Sequence, residues 1–129
     1  MNGYTKIDIP GKGEVGLHFA YVSFKLIMGE KNKSLMFDEE GNPNELGVAK
    51  IIYSGYQNNC INKGIEAVLT FDDFTKAIDT IAVQEGGIQV LTDVIKCWSE
   101  STEVKSLVEK NAEKKSEVTP ETETPILTQ

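Results

Sequence analysis

Three groupings of residues in this sequence are of types and spacings that could do chemistry, and each points to a different kind. The first is the set of metal-binding or nucleophilic side chains: one histidine, His18, and two cysteines, Cys60 and Cys97. Zinc needs four such ligands, commonly with cysteines in close pairs, and this chain has three candidates and no C-x-x-C. The cysteines read as buried thiols of a reducing compartment, with a disulfide between them as the alternative. His18 sits in an apolar stretch, where a structural imidazole is expected in preference to a catalytic one. The second grouping is Asp38, Glu40 and Asn42, which alternate as the first oxygen ligands of a calcium loop do. That reading fails further on, because the sixth position is Pro43 and the twelfth is Ala49, where such a loop needs Gly and a bidentate Glu. The third is Gly11-Lys12-Gly13, too short to cradle phosphate and followed by no Gly-Lys-Ser/Thr. The acid pair Asp72-Asp73 opens a helix, where capping accounts for it. No set of residues forms the base, nucleophile or metal constellation that catalysis requires, so no catalytic residue, cofactor or metal is expected and the reading is of a protein that is not an enzyme.

The elements that would position these residues follow from periodicity. Thr5, Ile7 and Ile9 alternate with Lys6 and Asp8, the period of a half-buried strand. Pro10-Gly11-Lys12-Gly13 turns the chain, and Val15, Leu17 and Phe19 alternate again as a returning strand. From Phe19 the period lengthens: Phe19, Val22 and Leu26 predict one face of a helix to about Met28, stopped by Gly29. Residues 29–44 carry the charge, glycine and proline of a loop, with Leu35-Met36-Phe37 expected to tuck it onto the core. Asn44 is a good N-cap for a helix to about Asn62, apolar nearly all round and therefore the buried centre of a bundle, with Gly64 ending the connection. Thr70-Phe71-Asp72-Asp73 resembles a capping box, and Phe71, Phe74, Ile78 and Ile81 give the next helix a clean stripe. Gly86-Gly87 separates it from a fourth helix with Ile88, Leu91, Val94, Ile95 and Trp98 on one face, continuing to about Lys110. The fold class expected is mainly α: a small four-helix domain over 1–105 preceded by an N-terminal β-hairpin, then a disordered acidic and polar tail over 106–129.

Composition bounds the partners. Twenty acidic against thirteen basic residues give a net charge of -7, and the basic residues are scattered, with no run longer than Lys114-Lys115. Nucleic acid and anionic membranes select for clustered Lys and Arg, so neither is expected, and the acidic excess serves solubility. The most apolar stretch, Leu17–Met28, is twelve residues and contains His18 and Lys25, short of the roughly twenty a membrane span needs. With no apolar stretch behind Met1-Asn2-Gly3-Tyr4, no signal peptide is read and the expected location is cytoplasmic.

The order of elements also carries a resemblance. A hairpin runs into a helix. An apolar helix follows, with the pattern hydrophobic-hydrophobic-aromatic-small-Gly at Ile51-Ile52-Tyr53-Ser54-Gly55. Next comes a Thr-capped acidic helix at Thr70-Phe71-Asp72-Asp73-Phe74, then one more amphipathic helix and a polar tail. Over residues 4–101 this resembles the tail assembly chaperones of long-tailed bacteriophages. The resemblance implies a mainly helical protein that coats the hydrophobic tape measure protein in the host cytoplasm, helps tail-tube subunits gather, self-associates along its client and is absent from the finished virion. It carries over no catalytic residue. The alternatives are a structural minor tail or connector subunit and an unrelated helical adaptor. Exposed aromatics left over from the core are the candidate client contacts, namely Phe24, Tyr53, Tyr56 and Trp98.

From Asn111 onward too little apolar surface exists to offset about 1–2 kcal/mol of backbone entropy per ordered residue. Brief proteolysis is expected to trim the C-terminus to a core of about residues 1–105, and protection of 115–129 in the isolated protein would contradict the tail assignment.

Overall fold

The computed structural model describes residues 3–31 and 33–101. Strands β1 (Tyr4–Ile9) and β2 (Gly13–His18) form an antiparallel hairpin in which Tyr4 faces His18 and Ile9 faces Gly13. The Lys12 N–H donates to the Ile9 carbonyl across the turn at 2.9 Å. Ile7, Ile9 and Leu17 are buried while Lys6, Asp8 and Glu14 are exposed, as the period-2 pattern predicts. Helix α1 (Tyr21–Met28) follows, then one 3₁₀ turn (Lys33–Leu35), α2 (Glu45–Lys63), α3 (Phe71–Ala82) and α4 (Gly87–Glu100). The chain is mainly helical, as expected.

Helix α2 is the hub. It packs against β2, α1, α3 and α4, and Ala49, Ile51, Ile52, Tyr56 and Cys60 are buried along it. Its ends are those the sequence predicts. The Asn44 side chain accepts from the Gly47 N–H, and Gly64 closes the helix in the left-handed conformation. At α3 the expected capping box is complete. The Thr70 hydroxyl accepts from the Asp73 N–H at 3.1 Å, and the Asp73 carboxylate accepts from the Thr70 N–H at 2.8 Å.

Helix α1 departs from expectation. Phe19 is fully buried but precedes the helix, Ala20 is the extended N-cap, and the buried face is Ser23 with Ile27, while Leu26 is 37% exposed. The reason is that the seam with α2 is polar. The Ser54 hydroxyl donates to the Ile51 carbonyl at 2.7 Å and shares 2.7 Å with the Ser23 hydroxyl, and the Ser23 N–H donates to Asn58 Oδ1 at 2.8 Å. Counting apolar residues cannot find a face of small polar ones. Beside this seam the Phe19 ring lies on the bare backbone of Gly55, where a β-carbon would collide with it.

Two further expectations are corrected. Within 29–44, Met36 is fully buried and Phe37 half-buried, but Leu35 is 61% exposed. The fourth helix ends at Glu100, and the expected stretch beyond Ser101 to Lys110 lies outside the described residues. Ser101 has φ -60° and ψ 123°, and its buried hydroxyl donates to the Phe19 carbonyl at 2.9 Å. The 106–129 tail lies outside the described residues.

Thr70→Ala should cost about 0.5–2 kcal/mol and Phe74→Ala, fully buried on the α3 stripe, about 3–5 kcal/mol in chemical denaturation. The Thr70 N–H holds the Asp73 carboxyl below its ordinary range. Its contribution is therefore present above that range and lost as pH falls through the lowered value. Asp73→Asn is expected to lower the melting temperature near neutral pH and to be indistinguishable from the parent in strong acid.

Candidate functional site

The residues that could do chemistry are placed apart and occupied structurally. His18 ends β2, with its Nδ1 2.6 Å from Asn62 Nδ2 and its ring edge-on to Tyr4 at 6.4 Å. Cys60 is buried within α2, and burial pushes the half-buried Cys97 thiol up, away from thiolate. Among the described residues no cluster of three or more His, Cys, Asp or Glu is arranged to hold a metal ion. No helix among them is long and apolar enough to cross a membrane.

The four candidate contact residues are spread over α1, α2 and α4. Tyr53 and Tyr56 join Phe71 and Phe74 in an aromatic cluster between α2 and α3, with ring centroids 5.1–5.7 Å apart for Tyr56–Phe74, Tyr53–Phe74 and Tyr53–Phe71. Tyr56 is a core residue, only 6% exposed. Its hydroxyl oxygen accepts from the Leu69 N–H at 3.0 Å, and burial raises its phenol above the usual range. Tyr53 is half-buried there. Phe24 on α1 is half-buried, and Trp98 is half-buried against the core near the end of α4.

An open concavity among the described residues lies elsewhere. A groove of about 800 Å³ runs between the N-terminal half of α2, the C-terminal half of α3 and most of α4. Its floor is made of core residues and its rim of the exposed side chains next to them on each helix. Helix α3 offers Thr75, Ile78, Asp79 and Ala82; α4 offers Ile88, Leu91, Thr92 and Ile95; α2 offers Glu45, Leu46, Val48 and Ala49. Each set follows i, i+3, i+4 spacing or nearly so, one helical face. Ala49, Ile78 and Leu91 are buried, whereas Leu46 is 39% and Ile88 62% exposed. The small side chains of Ala49 and Ala82 leave depth between the helices, and nothing in this chain's described residues covers the exposed row.

One end of the groove is built by the loop before α2, through Asn42, Pro43 and Asn44. The loop is tied down firmly. Phe37 bridges to Pro43, the Asn44 N–H donates to the Met36 carbonyl at 2.9 Å, and Asn44 Nδ2 donates to the Leu35 carbonyl at 2.6 Å. It lies directly on Gly47, where a β-carbon would collide with the Met36 carbonyl oxygen. Also on α2, Lys50 reaches Glu30 at 3.3 Å and sits 4.3 Å over the Phe71 ring.

The sequence reasoning looked for exposed contacts only among leftover aromatics, and so missed Leu46, Ile88 and Ala82 as groove lining. Helix α4 carries Ile88, Leu91, Val94, Ile95 and Trp98 on one face, an ordinary core-facing stripe in sequence, of which only Leu91 and Val94 are buried. Comparison with protein families, with curated proteins and with solved structures finds no match to this chain.

The rim and the floor of the groove should separate cleanly in mutagenesis. Ile88→Glu is expected to change stability by no more than about 0.5 kcal/mol, as at an exposed position, and Leu91→Ala to cost about 2–5 kcal/mol, both read by denaturant melts.

Proposed function

We propose that this chain is an assembly chaperone of the kind used by long-tailed bacteriophages, which binds apolar helical segments of the tape measure protein in the host cytoplasm, catalyses nothing and leaves before the virion is complete. The groove between α2, α3 and α4 is the observation that carries the reading, since its exposed Leu46 and Ile88 leave an apolar row without a partner among the described residues. A groove between helices with apolar lining suits an amphipathic helix laying its stripe into it. The element order from hairpin to fourth helix, which resembles that family, supplies the identity of the client.

The physics of the role is consistent with a small contact. A long amphipathic chain in water aggregates through its apolar stripe, and covering that stripe removes the driving force. A single-site interface below about 1,200 Å² is weak and transient, but repeated sites along one client raise the effective concentration of neighbouring copies. Weak contacts also let tail-tube subunits displace the coat. The net charge of -7 keeps a crowded row of identical copies soluble. Of the aromatic candidates, Phe24, Tyr53 and Trp98 keep partial exposure and are secondary contacts in this reading, and Tyr56 serves the core.

Co-expression with the tape measure gene tests the proposal. The client is expected to be soluble only in the presence of this protein, to co-purify with it in large molar excess over client, and to lose that protection with the Leu46→Glu/Ile88→Glu variant. A client equally soluble alone, or this protein found stoichiometrically in mature particles, would overturn the chaperone reading in favour of a structural tail subunit.

A further inference from the structure

Resting on that reading of the groove, we propose that its occupant is an amphipathic helix whose apolar stripe ends in a cluster of Lys or Arg, so that client segments are selected by charge as well as by apolar fit. The two charged side chains that line the groove, Glu45 and Asp79, are both acidic. The lining run Asn42–Glu45 continues directly from a turn in which Asp38, Glu39 and Glu40 are all exposed. Four carboxylates thus fall within residues 38–45, with no Lys or Arg among them.

The backbone of the turn that carries three of them is held in place. Asp38 Oδ1 accepts from the Glu40 and Asn42 N–H groups, both at 2.9 Å, and the Asp38 N–H donates to the Asn42 carbonyl at 2.8 Å. The turn therefore stays seated at the groove's α2 end by the same contacts that seat the loop on Gly47. On the groove's helices Lys50 is engaged with Glu30 at 3.3 Å and Lys76 with Asp72 at 3.0 Å, and the exposed Lys96 stands one turn beyond Thr92 on α4, outside the lining.

An apolar trough with acidic groups at its end attracts a basic-ended helix and repels an acidic one, which gives selection more than affinity. It also disfavours a second copy of this chain, itself strongly acidic. Each exposed charge pair contributes little, but several acting together separate peptides of opposite charge by about tenfold.

The test uses the full chain and three labelled helical peptides with one apolar stripe, ended in Lys, Gln or Glu, titrated by fluorescence anisotropy. The Lys-ended peptide is expected to bind about tenfold more tightly than the Glu-ended one at low ionic strength, with the difference nearly gone at about 1 M salt, where the Debye length is about 3 Å. Glu39→Lys/Glu40→Lys/Glu45→Lys, checked for an unchanged helical spectrum, should invert the order, and Ile88→Glu should weaken all three. Equal affinity for the three peptides overturns charge selection and leaves the groove reading standing. Absence of binding by any peptide, or binding that Ile88→Glu does not alter, overturns the groove reading itself. If the Lys-ended peptide binds only after charge reversal of Lys110, Lys114 and Lys115, the chain's own C-terminal segment is the occupant and the proposal fails. A dimer that Ile88→Glu abolishes and the peptides cannot dissociate assigns the groove to a second copy, with the same consequence.

Discussion

Phe19 is where the chain is tied together. Its N–H donates to the Gly3 carbonyl at 2.7 Å, its carbonyl accepts from the Ser101 hydroxyl at 2.9 Å, and its ring, with no exposure, rests on Gly55 in the middle of α2. One residue thus joins the start of the hairpin, the exit from β2, the approach to α1, the centre of the hub helix and the end of α4. The ring supplies burial, worth about 1.5–3 kcal/mol for a side chain of this class, while the two backbone bonds determine where the termini of the described fold meet. Gly55 is the condition for all of it, because any side chain there would hold the hairpin away from α2.

The polar seam between α1 and α2 follows from that approach. With the hairpin held against α2, α1 is delivered to the α2 face bearing Ser54 and Asn58. Burying unpaired hydroxyls and amides there would be costly. The Ser23 and Ser54 hydroxyls and the Asn58 side-chain oxygen instead bond to one another and to backbone groups, which makes the register of the two helices specific. An all-apolar seam would bury as much surface and specify the register less.

The groove is the complement of this arrangement. The hairpin and α1 occupy one side of α2, and α3 and α4 must cover the rest with a single apolar row each. The aromatic cluster of Tyr53, Tyr56, Phe71 and Phe74 holds α3 close at the C-terminal half of α2. Toward the N-terminal half the contacts pass to Ala49, Ile78 and Ala82, smaller side chains that leave the three helices apart and Leu46 and Ile88 uncovered. The acidic turn at 38–41 stands at that same end because Gly47 lets the preceding loop lie on the helix.

What the sequence determined by itself was the local architecture. The hairpin, the helix starts at Asn44 and Thr70, the stop at Gly64 and the burial of most of α2 are set by periodicity, capping chemistry and turn residues, all of which act within a few positions along the chain. What only the tertiary structure decided were the faces. Ser23 rather than Leu26 turns inward on α1, Tyr56 goes to the core, Leu35 and Ile88 stay outside, and α4 stops at Ser101. These outcomes depend on partners far away in the sequence: Asn58 for Ser23, Leu69 for Tyr56, and Phe19 for Ser101. The groove was illegible for the same reason. An apolar residue on a helix records that it needs cover, and only the distances between helices decide whether the chain itself supplies it.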